Sequence, residues 1–320
     1  MKPRLLSPIV VLIAALMAAA CTPQADDSPV PALRIAVTTT VLGDVVERIV
    51  GGDGHTDVLI PVGVDPHDFE LSARQIADLT DADLVVVNGL GLEEGMAGVL
   101  ATLADDGVPV LEIGDLLDPV EFGAHEHDHA GEESADEVHA VDPHVWMDPV
   151  RMAEAARTIA GRIASVAPAS SMVDWVGRGE SAAGAILEMH AELEALVSSI
   201  PVERRLLITN HDALGYFADR YEFEVIGVII PGGSTLAEPS SSGLADLVAT
   251  IRETGVPAIF ADTTDPTNLA EAVASEVGSS VEVVELYTGS IGEPGSEAGS
   301  YIGMMLTNGR RLADALGGTS

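Results

Sequence analysis

From Arg34 onward, short apolar runs rich in β-branched residues alternate with stretches of helical periodicity. Arg34–Thr38, Thr56–Ile60, Leu84–Asn88 and Val110–Ile113 are apolar nearly throughout, as strands buried on both faces of a parallel sheet would be. The helical patterns between them lie near Leu42–Val50, Ala73–Thr80 and Glu93–Ala104, and Ser72 with Gln75 forms a capping-box start for the second. A helix near Val150–Val166 closes this half. A long helical stretch follows, Ala169–Ser199, with Leu187, His190, Leu193, Glu194 and Val197 along one mostly apolar face. At about 1.5 Å per residue it would span about 45 Å, and Gly177, Gly179 and Gly184 are places where its first half could kink.

The alternation then restarts. Strands are predicted at Leu206–Thr209, Phe223–Ile229, Ala258–Ala261 and Val281–Leu286, with helices near Ala213–Tyr221, Gly243–Thr254, Asn268–Val277 and Tyr301–Leu316. Asn268 with Glu271 has capping chemistry. The expected fold is α/β: two lobes with parallel sheets, linked by a long backbone helix. In such sheets ligands bind beyond the carboxyl ends of the strands, so facing lobes would enclose a cleft. The boundaries read as a lobe over 33–167 carrying a loop at 124–139, a linking helix over 168–200, and a second lobe over 201–320.

The N-terminus breaks the pattern. Two positive charges in Met1–Arg4 precede the apolar run Leu5–Ala20, and Ala18-Ala19-Ala20 leads into Cys21. This is the layout of a secretory signal over 1–20, short for a membrane span. Residues 21–32 contain Pro and Asp without periodicity and read as a tether. The one cysteine excludes a disulfide framework and a cysteine-based zinc cluster. Its place at the cleavage point resembles that of bacterial lipoproteins. This implies a lipid anchor at Cys21 and a membrane-anchored protein facing the periplasm or the cell exterior.

Charge removes other options. The 320 residues hold 51 acidic and 15 basic side chains, for a net charge of −36, and Lys2 is the only lysine. Nucleic acid and anionic membrane surfaces are excluded as general partners. The acidic, lysine-poor composition fits either a saline medium or biased codon usage.

The chemistry sits on histidines. His67 in PVGVDPHDFE, His144 in VDPHVWMD and His211 in LLITNHDALGYF each lie where a strand end meets a helix start. Two share the tripeptide Asp-Pro-His, whose proline stiffens the loop. Three imidazoles converging from separate loops suit Zn²⁺, which takes neutral histidine nitrogen. His55 and His190 read as structural. A second group, Ala124–His139, packs His125, His127, His129 and His139 among six carboxylates without apolar periodicity. It reads as a mobile loop suited to weak capture of divalent cations.

These motifs closely resemble the zinc/manganese substrate-binding lipoproteins of bacterial ABC transporters. The quoted His67 and His144 segments match two metal motifs of that family. TNHDALGYFADRYEFEVIGV matches a third, and LYTGSIGEPGSEAGSYIGMMLTN matches the C-terminal text. The resemblance covers essentially the whole mature chain. It implies a monomer that hands its metal to an ABC permease of the inner membrane, with His67, His144 and His211 as ligands. In this family manganese binders often place a carboxylate where His211 stands, and a His-rich loop is typical of zinc binders. Many members also supply an aspartate where this chain has Gly289. The fourth ligand is then either water or, as a weaker candidate, Asp262.

The expected function is therefore capture and delivery of Zn²⁺ as transported solute, with Mn²⁺ or Fe²⁺ as alternatives. A secreted zinc hydrolase, which can also use three histidines and an open position, and an adhesin are the other readings. The HExxH spacing at His125–His129 falls in the segment without apolar periodicity rather than on a helix, which speaks against the hydrolase.

Overall fold

The computed structural model describes residues 33–122, 141–232, 234–278 and 281–317. The signal segment, the tether with Cys21 and the His-rich loop lie outside the described residues.

The first half runs β1 (Leu33–Val37), α1 (Thr40–Val50), β2 (Gly54–Val58), α2 (Ala73–Leu79), β3 (Leu84–Val87), α3 (Ala97–Asp105) and β4 (Val110–Glu112). Two long helices follow, α4 (Pro149–Val166) and α5 (Trp175–Val197). The second half runs β5 (Leu206–His211), α6 (Gly215–Tyr221), β6 (Glu224–Ile230), α7 (Ser241–Thr254), β7 (Ala258–Asp262), α8 (Asn268–Val277), β8 (Glu282–Leu286) and α9 (Tyr301–Leu316). Among the described residues no helix is long and apolar enough to cross a membrane.

The strands form two sheets with the same topology. Their orders are β2-β1-β3-β4 and β6-β5-β7-β8, and every pairing is parallel. Each order reverses direction beside its first strand, which opens a crevice at the carboxyl ends. In the second sheet that crevice lies between β5 and β7, whose last residues are His211 and Asp262.

One continuous apolar core runs through both halves. It joins α1, α4, α5, α6 and α9 to the inner faces of both sheets, with Trp146, Phe217, Tyr216 and Tyr301 among its largest buried side chains. A separate cluster closes the outer face of each sheet. The central strands β3 and β7 are buried along their whole length, as their unbroken apolar runs require.

Several expectations change. β2 covers Gly54–Val58 rather than Thr56–Ile60, and as an edge strand it is partly exposed instead of buried on both faces. The linking helix is shorter than predicted: it starts at Trp175, where Asp174 accepts the N–H of Gly177 at 2.9 Å, so its 23 residues span about 35 Å. Its buried face is also rotated. Ile186, Met189, Leu193 and Val197 are buried, while Leu187 and His190 are only partly so and Glu194 is exposed. Gly179 serves close packing, since a side chain there would strike Ala160 of α4. Asn268 is not a cap; Thr267 precedes the helix and its hydroxyl bonds Glu271 at 3.1 Å. Elsewhere the local chemistry is as read: Ser72 and Gln75 form a reciprocal capping box.

Candidate metal centre

The two Asp-Pro-His tripeptides fold alike. Asp65 Oδ1 accepts the backbone N–H of His67 at 2.9 Å, and Asp142 Oδ1 accepts that of His144 at 2.9 Å. Each aspartate thus makes the local turn typical of Asx side chains and presents the histidine two residues on. Asp65 Oδ2 accepts the hydroxyl of Thr235, and Ser290 Oγ accepts the N–H of Gly63 at 3.0 Å, so second-half residues brace the His67 loop.

The His144 segment is fastened more heavily to the second half. Tyr216 donates its hydroxyl to the carbonyl of Asp142 at 2.9 Å, and Trp146 Nε1 donates to the carbonyl of Thr288 at 2.7 Å. Tyr301 donates to the carbonyl of Trp146 at 2.8 Å. Asp148 is fully buried; it caps α4 through the N–H of Val150 and takes both Arg151 and Arg220 at 2.6 Å. His211 needs no such bracing, because it is the buried last residue of β5.

These scaffolds bring the three histidines together. His67, His144 and His211 are each no more than 2% exposed. Their ring centroids are 5.4 Å (His67–His144), 5.3 Å (His144–His211) and 6.0 Å (His67–His211) apart. Each offers a nitrogen within 4.8 Å of those of the other two. A tetrahedral zinc keeps its donors about 3.3 Å apart, so the set lies close to what one ion needs.

The nitrogens are also in the right state. Nδ1 of His144 lies 2.7 Å from Asp142 Oδ1, which places the proton there and leaves Nε2 as a lone-pair donor. That Nε2, both ring nitrogens of His67, and Nδ1 of His211 are buried without a hydrogen-bond partner. Buried polar atoms are ordinarily satisfied, so such a concentration marks a place built for a ligand. Burial is the first cause that lowers all three imidazole pKa values from the usual 6.5. For His67, to about 2, the neighbouring His144 and His211 add to it; His144 falls to about 3 and His211 to about 4. The rings are therefore neutral at physiological pH, as metal ligation requires.

Carboxylates stand behind them. His211, Asp262 and Asp265 form a second group whose ligand atoms lie within 4.8 Å of one another. Asp262 is 1% exposed, and its Oδ1 faces the N–H groups of Thr264 at 3.1 Å and Thr288 at 3.4 Å. Asp265 was not singled out by the sequence. It accepts Nδ2 of Asn210 at 2.7 Å, and burial, with the nearby Asp262 and Asp65, pushes its pKa up to about 7. Its signal was its position three residues beyond Asp262, in the same strand-end loop.

The histidines read as structural lie apart from this centre. His55 is exposed and pairs with Asp57 at 2.9 Å. His190 contacts the hydroxyl of Tyr221 at 2.9 Å. His125, His127, His129 and His139 fall outside the described residues.

Comparison with known proteins finds relatives over most of the chain. A family model described as zinc-uptake complex component A, periplasmic, matches residues 35–315. The manganese-binding lipoprotein MntA of Halalkalibacterium halodurans is 27% identical, with 93% of this chain and 94% of that protein covered. The zinc-binding protein TroA of Treponema pallidum is 30% identical, with 88% of each covered. The solved structure of the periplasmic zinc-binding protein TroA from Treponema pallidum superposes with a TM-score of 0.78 at 30% identity, covering 89% of this chain and 99% of that one.

Proposed function

Because this chain belongs to the zinc-uptake complex component A family of solute-binding proteins, we propose that it captures a divalent transition metal outside the cytoplasm and delivers it to an ABC-type permease. It is a binding component and not an enzyme. The metal is cargo, held by His67, His144 and His211.

The observation that carries this reading is the convergence of three buried, neutral imidazoles, each with at least one ring nitrogen buried without a hydrogen-bond partner. Such a set has strong affinity for a borderline-soft cation and little for Mg²⁺ or Ca²⁺, which take oxygen. Named relatives bind zinc or manganese. Zinc is favoured here because a three-nitrogen set suits it, whereas Mn²⁺ is better served by more oxygen donors. Mn²⁺ or Fe²⁺ remains the second reading, motivated by Asp262 and Asp265 beside His211.

The N-terminal residues support an extracytoplasmic location, with Cys21 as the acylated N-terminus of a monomeric protein. The segment 124–139 gathers scarce Zn²⁺ weakly through His125, His127, His129 and His139. Elemental analysis of protein purified without added metal, followed by competition between Zn²⁺ and Mn²⁺, tests the assignment. One equivalent of tightly held zinc that manganese does not displace is the expected result. Retention of manganese against zinc would overturn the choice of metal.

A further inference from the structure

We propose that Asp262 supplies the fourth donor to the ion held by the three histidines, and that Gly289 is the small residue that makes room for it. This inference rests on the reading of the cleft as a metal site.

Asp262 ends β7, the strand next to β5, and His211 ends β5. Its backbone N–H is held by Oδ1 of Asn210 at 2.9 Å, which fixes the strand end against that neighbour. On the side chain, Oδ1 is turned toward the N–H groups of Thr264 and Thr288. Oδ2 points the other way. It lies 3.0 Å from where a Cβ at position 289 would stand, and Thr264 Oγ1 and Pro66 Cδ lie 2.9 and 3.3 Å from the same point. Pro66 immediately precedes His67, so this oxygen sits beside the His67 loop. Any side chain at 289 would compete with the Asp262 carboxylate for this space.

A carboxylate that is 1% exposed is expensive to bury without a cation. Of the other buried acids, Asp148 pairs with Arg151 and Arg220 and Asp142 with His144, while Glu93 is held by Thr38 Oγ1 and the N–H groups of Asn88 and Gly89. Among the described residues, no arginine or histidine lies in a salt bridge with Asp262. A divalent ion between the imidazoles and Oδ2 provides the missing positive charge. Asp262 offers a ligand atom within 4.8 Å of that of His211, the histidine shared with the three-imidazole group. Asp265 is less suited, because its Oδ2 already accepts Asn210 at 2.7 Å. Three nitrogens and one carboxylate oxygen complete a tetrahedral set for zinc without recruiting water.

The test is a Zn²⁺ titration against a competing chelator, run on wild type, Asp262→Asn, Asp265→Asn, Gly289→Asp, His211→Ala and the double variant Asp262→Gly/Gly289→Asp. Thermal melts of the metal-free proteins accompany it. Asp262→Asn is expected to weaken zinc by at least about tenfold, the lower end of what even outer partners of a metal contribute, with no loss of metal-free stability. Asp265→Asn should cost less. Gly289→Asp alone should also weaken binding, since two carboxylates then compete for one place, and the double variant should recover most of the loss. If Asp262→Asn binds like wild type while His211→Ala does not, the proposal is wrong and the three-histidine site stands. If wild type holds no zinc, or His211→Ala holds it as well as wild type, both fall.

Discussion

Oδ1 of Asp142 lies 2.7 Å from Nδ1 of His144 and 2.9 Å from the same residue's backbone nitrogen. One oxygen therefore sets both the position of the histidine and its tautomer, leaving Nε2 to face the cleft. Outer partners of this kind typically contribute about 10- to 100-fold in metal affinity. Asp142→Asn should weaken zinc binding by about that factor while keeping the stoichiometry at one tight ion. Chelator competition measures the first and elemental analysis the second; unchanged affinity would mean the tautomer is set elsewhere.

His67→Ala, His144→Ala and His211→Ala should each weaken Zn²⁺ by orders of magnitude, because each removes a donor that water replaces poorly. His55→Ala and His190→Ala should leave affinity unchanged, since those rings contact Asp57 and Tyr221 instead. Calorimetric titration of the five variants separates the groups. Tight binding by His211→Ala would refute the arrangement.

The pH dependence follows from the direction of the histidine shifts. The folded pKa values lie near 2, 3 and 4, below the ordinary 6.5. As pH falls below about 6.5, the unfolded chain takes up protons that the folded cleft refuses. Stability of the metal-free protein is thus fully present above that pH and declines as pH falls toward 4 and below. Melting temperatures of metal-free protein between pH 7.5 and 4.5 check the sign; a rise on acidification would contradict it.

Metal binding should divide along the same line. The cleft imidazoles stay neutral in mild acid, whereas His125, His127 and His129 sit among carboxylates that favour protonation. Weak Zn²⁺ binding by this segment should be lost at a higher pH than the tight phase. Deleting Gly131–Val138 and changing His125, His127 and His129 to Ser should lower the number of weakly held ions and leave the tight phase intact. Calorimetry on both proteins decides it: loss of the tight phase would mean that the segment supplies a ligand to the cleft.

The Asp148–Arg220 contact ties the start of α4, next to the His144 segment, to α6. Arg220→Ala should destabilise the protein by about 1.5–3 kcal/mol, the range for hydrogen bonds to charged groups. Arg151 remains to partner the buried carboxylate. Chemical denaturation of the metal-free variant checks the magnitude, and an unchanged midpoint would show that the contact contributes nothing.

Much of this was legible in the chain. Unbroken apolar runs located β3 and β7, and periodicity located α4 and α9 within a residue or two. The three histidines were singled out because their loops lead into helices beside strand ends, where parallel sheets place ligands; His211 does end β5, whereas His67 lies within the loop between β2 and α2 and His144 just before α4. What the sequence hid depended on contacts between distant residues. The start of α5 moved to Trp175 because Asp174 supplies a cap, while periodicity alone extended the helix back to Ala169. The buried face of α5 is set by α4 and α9, which no local pattern contains. In the Asp-Pro-His tripeptides the proline drew attention, yet the aspartate is what orients each histidine. Asp265 was missed because its nearness to His211 comes from the pairing of β5 with β7 across more than fifty residues.

The most direct measurement of the central claim is the zinc content and affinity of the full mature protein, by elemental analysis and competition with a chelator of known strength. The account predicts one tightly bound Zn²⁺ per chain, abolished by removing His67, His144 and His211 together and unaffected by removing His55 and His190. Zinc held as tightly without the three cleft histidines, or none held with them present, would contradict it.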